Sequence, residues 1–106
     1  MKISVWMSYN LGIKGDYNGL YQWLDNHNGM ECGNGTAFLK YEYQNDFFSE
    51  LKSDLQKTVE IKGTDRIYIV YNDAENKNTV GKFLFGNRKA APWTGYAPLN
   101  ETVEDK

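Results

Sequence analysis

At 106 residues the chain has the length of one domain, enough to remove roughly two-thirds of its unfolded surface from water and build a core without staples. Hydrophobic residues at 41% and charged residues at 25% exclude a disordered chain, and a formal net charge of −2 weighs against a protein held on phosphate backbones by excess Lys and Arg. Cys32 is the one cysteine, so neither an internal disulfide nor a thiolate metal cluster can form.

Residues 2–9 alternate, Ile3, Val5, Met7 and Tyr9 against Lys2, Ser4, Trp6 and Ser8, the period of a strand with one buried face. A glycine-containing loop, 10–15, leads to Asp16, a good N-cap for a helix reaching about Asn28. Tyr17, Leu20, Tyr21, Trp23, Leu24 and His27 recur at spacings of three and four and form its apolar stripe. Gly29 stands where a left-handed residue would end the helix.

Asn34-Gly35 is a hairpin signal, since both residues tolerate positive φ. Its first arm, 30–33, is short. Its second, 36–44, sets Ala37, Leu39, Tyr41 and Tyr43 against Phe38, Lys40 and Glu42. Asn45 or Asp46 then caps a helix to about Val59, with Phe48, Leu51, Leu55 and Val59 on its apolar face and Phe47 flanking. Residues 66–72 alternate again, Ile67, Ile69 and Tyr71 against Tyr68 and Val70. The polar run 73–78 turns the chain into a last strand, 80–85.

The segment 86–98 is irregular, aromatic, and holds both prolines. Residues 1–98 are therefore expected to form one α+β domain, and 99–106 a polar, frayed tail. The element order is β-α-β-β-α-β with an additional C-terminal strand. Right-handed crossovers set two helices on one face of a mainly antiparallel sheet, a ferredoxin-like α/β plait. Without a strand at 30–33 the order becomes βαβαββ on a smaller sheet. No segment nears the ~20 apolar residues of a membrane span and the first residues lack an apolar leader, so the expectation is a cytoplasmic protein with no membrane partner.

Helices on one face leave the other uncovered, and Trp6, Phe38, Tyr68 and Val70 are assigned there. Each aromatic covers about 150–250 Å² and is worth a few kcal/mol when dried at ~25 cal/mol per Å². Three or four rings from each of two partners offset an association cost of roughly 4–15 kcal/mol. Three occupants compete: the tail folded back through Pro92, Trp93 and Tyr96; a second copy of the chain, since a two-fold interface uses one patch twice; and single-stranded nucleic acid stacked on the rings. Lys2 and Lys40 favour the last, Glu42 and the acidic balance oppose it.

No constellation assembles for catalysis, and neither a cofactor nor a metal is expected. His27 and Cys32 are the sole soft-ligand pair, too few for zinc, and are read as packing residues. Gly12, Lys14 and Gly15 at a strand-to-helix loop form a weak anion-binding candidate, short of a P-loop. Metal-dependent nucleases of plait fold offer an analogy, but they place an aspartate after the first strand where this chain has Asn10. Asp73 and Glu75 lack the glycine and terminal glutamate of a calcium loop. Arg88, Lys89, Trp93 and Tyr96 join Trp6, Phe38, Tyr68 and Val70 as partner-binding candidates, being hot-spot residue types. The resulting expectation is a small non-enzymatic interaction or regulatory module, homodimeric through the open face or tail. The alternative is a nucleic-acid-binding or Mg-dependent nuclease-like domain.

Overall fold

The computed structural model describes residues 1–98; the polar stretch expected at 99–106 lies outside them. The chain runs β1 (Lys2–Asn10), α1 (Tyr17–Asn26), β2 (Met30–Glu31), β3 (Thr36–Glu42), α2 (Phe47–Thr58), β4 (Arg66–Asp73) and β5 (Asn78–Phe85). The strands form one open sheet in the order β2-β3-β1-β4-β5, with every neighbouring pair antiparallel. The fold is α+β, and the short arm at 30–33 does supply a strand, Met30–Glu31, which pairs Met30 with Phe38.

The alternation read along each strand is the alternation the sheet uses. Val5, Met7, Ala37, Leu39, Tyr41, Ile67, Ile69 and Tyr71 are buried together with Leu20, Trp23 and Leu24 of α1 and Leu51 and Leu55 of α2 in a single core. Both helices thus drain their apolar stripes onto the same side chains, and burying each Leu or Ile contributes about 1.5–3 kcal/mol. Asp16 caps α1, its carboxylate accepting from the Gly19 amide. Asp46 caps α2 by accepting from the Ser49 amide, while Glu50 reaches back to the amides of Gln44, Asn45 and Asp46. The Gly19 and Ser49 amides are among the donors a helix start leaves unpaired, and the Glu50 contacts fix the chain leading into the α2 cap.

Several local expectations are corrected. The left-handed residue ending α1 is Asn28, at φ 57°, and Gly29 instead donates its amide to the Leu24 carbonyl. In the β2–β3 turn the positive φ values fall on Gly33 and Gly35, not on Asn34. Tyr21 of the expected stripe is exposed, because the buried arc of α1 is filled by Gly19, Leu20, Trp23 and Leu24. Phe47 and Phe48 exchange roles: Phe47 is buried among Tyr41, Tyr43 and Tyr71, and Phe48 lies half-buried under the Lys82 ammonium. Cys32 is exposed rather than packed.

The last strand carries a feature invisible to simple alternation. Ile67 pairs with Phe85 and Tyr68 with Phe83, so Leu84 is an extra residue, a β-bulge. It lets Leu84 and Phe85 both be buried while Phe83 points to the opposite side beside Tyr68. No helix among the described residues is long and apolar enough to cross a membrane.

Candidate functional site

The face of the sheet away from the helices is assembled by register. One row across it reads Met30, Phe38, Trp6, Val70 and Gly81, each residue opposite the next on the adjoining strand. The next row sets Thr36 opposite Ser8, Ser8 opposite Tyr68, and Tyr68 opposite Phe83. Trp6 and Phe38 lie with ring centroids 4.8 Å apart, and Tyr68 meets Phe83 edge-on, also at 4.8 Å. Trp6 is 45% exposed and Met30 58%, so this apolar strip faces solvent.

Gly81 positions one of the rings. A Cβ there would sit 2.5 Å from the Tyr68 hydroxyl and 3.1 Å from ring carbons, so the glycine leaves the space in which Tyr68 lies down across the sheet. Gly86 does the corresponding work for the chain beyond β5. It holds φ at +88°, where a Cβ would be 2.7 Å from the Asp65 carbonyl oxygen. That turn brings the Asn87 carbonyl to the Arg66 Nε, which donates to it at 3.1 Å.

Two guanidiniums consequently sit against the Tyr68–Phe83 pair. Arg66 Cζ is 5.4 Å from the Phe83 centroid; Arg88 Cζ is 5.7 Å from Phe83 and 5.9 Å from Tyr68, within the range in which a cation is drawn to a ring face. Ser8, Asn10, Arg66, Tyr68, Phe83 and Arg88 line one hollow. Neither arginine forms an ion pair with a carboxylate among the described residues.

Of the partner-binding candidates named from the sequence, Trp6, Phe38, Tyr68, Val70 and Arg88 meet on this one face. Trp93 and Tyr96 do not join them: they are 73% and 85% exposed, held in successive turns by the Thr94 amide to Ala91 and the Tyr96 amide to Trp93. Lys89 is likewise exposed. Of the three occupants weighed for this face, the one in which Pro92, Trp93 and Tyr96 pack on Trp6 and Tyr68 is not what the described tail does; Arg88 alone of the tail residues named for binding lies against the rings. Arg66, Phe83, Ser8 and Asn10 were not singled out from the sequence as partner-binding residues. Phe83 needed the bulge, and Arg66 and Arg88 needed the Gly86 turn.

The loop candidate is otherwise engaged. The Gly12 amide donates to Asp65 Oδ1 and the Gly15 amide to the Gly12 carbonyl, so two of the three residues named for an anion have their amides already engaged. Asp65, 1% exposed, also accepts from the Lys62 amide and ties this loop to the start of β4. Asp16 is held below the usual carboxylate range by the Glu60 and Gly19 amides it accepts from.

The other polar cluster joins secondary-structure elements. His27 stacks on Trp23 at 4.0 Å, its Nδ1 lies 2.8 Å from the Trp23 carbonyl, and its Nε2 is 3.3 Å from Asp54. The Tyr41 hydroxyl donates to Asp54 and to the Glu50 carbonyl, linking β3 to α2, and Asp54 in turn meets His27 at the end of α1. Burial first, and then the Asp54 charge, push the Tyr41 phenol far above its ordinary value, so it remains a donor. Tyr9, beside Tyr17 and Tyr21, is raised by burial and by Tyr21. Among the described residues no group of three or more His, Cys, Asp or Glu is placed to hold a metal ion.

Compared with protein-family models, curated proteins and solved structures, the chain matches none, so function rests on the geometry of this face.

Proposed function

We propose that this chain is a non-enzymatic binding module that works through the open face of its sheet, on a scaffold read as a ferredoxin-like α/β plait. The order β2-β3-β1-β4 with a helix in each crossover supports that scaffold, and β5 adds a strand at its edge. The observation that carries the function is an aromatic strip that no helix covers: Trp6–Phe38 and Tyr68–Phe83 stand paired and partly in water, with Arg88 of the tail against the second pair while Trp93 and Tyr96 stay exposed.

An apolar strip of that kind on a small domain contributes little to its own stability and much to a contact that dries it. Trp6→Lys is therefore expected to cost at most about 1 kcal/mol of folding stability, the worth of a cross-strand pair. A loss in the range of a core truncation would make the ring structural and remove the basis of the reading.

A second copy of the chain remains a competing occupant, favoured by the self-complementary character of a flat aromatic strip. Sedimentation at micromolar concentration decides between them. A dimer converted to monomer by Trp6→Lys places the second copy on the face; a monomer leaves it open to a different molecule.

A further inference from the structure

The net charge of the chain conceals how its charges are distributed over the fold. Lys2, Lys40, Arg66 and Arg88 belong to the open face by strand register or by contact with its rings, and the acid that shares it is Glu42 at the far end of β3, opposite Lys2. Asp25, Asp46, Glu50 and Asp54 belong to the helices and their caps, Asp16, Glu60 and Asp65 to the loops at their ends, Glu31 is opposite Ala37 of the covered face, and Asp73 and Glu75 line a hollow with Phe47, Tyr71 and Lys82. An acidic chain thus presents a basic, aromatic sheet face, which answers the objection that its overall balance raises against nucleic acid.

The two ring pairs are offset by one register step on adjoining strands. Trp6 is opposite Val70, and Tyr68 lies two residues before it on β4, which sets the inner rings of the two pairs, Trp6 and Tyr68, a diagonal of roughly 7–8 Å apart, within the reach of one nucleotide of an extended strand. Arg66 and Arg88 flank the second platform, and Ser8 and Asn10 add polar groups beside it. Rings for bases, guanidiniums for phosphates and small polar groups for base edges are the parts from which single-strand platforms are built. A duplex cannot use them, because its bases are already stacked inside.

Resting on the open-face reading above, we propose that this face binds single-stranded nucleic acid, with one base on the Tyr68–Phe83 pair, its neighbour on Trp6–Phe38, and the intervening backbone held by Arg66 and Arg88. Most of these contacts are to base faces and phosphates, with Ser8 and Asn10 beside a base edge, so the expected sequence preference is modest. RNA and DNA arms of the test read whether the 2′-hydroxyl matters.

The test is fluorescence anisotropy of short labelled single strands of RNA and of DNA, and of the matching duplex, with the full chain at low salt. Binding of either single strand in preference to duplex is expected. The slope of log K against log salt should be about −1.4 or steeper, from ~0.7 per phosphate for two arginines. Arg66→Ala and Arg88→Ala should each flatten that slope by about 0.7. Trp6→Ala should weaken binding roughly tenfold or more, and Arg88→Lys should keep the slope while losing affinity.

Duplex bound as tightly as single strand overturns the proposal. So does affinity unmoved by both Trp6→Ala and Arg88→Ala. If no strand binds while Trp6→Lys converts a dimer to monomer, the nucleic-acid assignment falls and the open-face reading stands with a second copy as occupant. If no strand binds and Trp6→Lys unfolds the domain, both fall.

Discussion

The two faces of the sheet both carry large side chains and treat them in opposite ways. On the helix side, Met7, Leu39, Ile67 and Ile69 are fully buried beneath Leu20, Trp23, Leu51 and Leu55. On the other side, Trp6, Phe38, Tyr68 and Phe83 pair with one another across strands and remain partly in water. The same alternating sequence builds both. The difference is that one face has helices to dry it, and the other has none.

Substitutions on the two faces should therefore separate stability from binding. The largest expected effect is Leu51→Ala on the covered face. Leu51 is wholly buried in α2, and a cavity there should cost about 2–5 kcal/mol in chemical denaturation. Asp65→Ala follows, at about 1–3 kcal/mol, because the Gly12 and Lys62 amides lose their buried acceptor. Trp6→Ala should leave folding stability, read from the same denaturation curves, within about 1 kcal/mol of the parent. A Trp6 effect as large as that of Leu51 would erase the distinction between the faces.

The smallest effect expected is the pH response, and it belongs to the helix layer. Asp16 and Asp46 at the caps and Glu50 in the first turn of α2 all titrate below their ordinary values of 3.8, 3.8 and 4.5, because amides donate to the charged forms, with the Ser49 side chain the largest cause at Asp46. A lowered folded-state value stabilises the fold above the unfolded value. That contribution is lost as pH falls through the folded one. Thermal midpoints should thus hold from neutrality to about pH 4–5 and decline below. Asp46→Asn, which keeps a capping oxygen without the titration, should shallow that decline. A midpoint that rises on acidification would contradict the assignment.

Much of this was legible in the sequence, and what was not has a physical reason. Strict period-two runs placed Trp6, Phe38, Tyr68 and Val70 on the correct side, because in a half-buried sheet one residue of slip exposes the core. The caps Asp16 and Asp46 were legible since their side chains act on amides three residues away. Phe83 was not, because the bulge at Leu84 breaks the alternation without a composition signal of its own. Arg66 and Arg88 lie roughly two dozen residues apart and meet only through the Gly86 turn, which short-range patterns do not report. Phe47 and Phe48 were exchanged because two adjacent apolar residues at a helix start fit the stripe almost equally well, and packing against Tyr41 and Tyr71 decides.

The central claim, that the uncovered face is the working surface and takes a single strand, is tested most directly by titrating a short single-stranded oligonucleotide into ¹⁵N-labelled protein. Trp6 on the open face and Trp23 in the core each carry an indole N–H, and that of Trp23 is buried without a hydrogen-bond partner among the described residues. The Trp6 indole signal and the amides of Ser8, Phe38, Tyr68, Phe83 and Arg88 should move together while the Trp23 indole stays in place. Shifts confined to the helices, or none at saturating oligonucleotide, would contradict the claim.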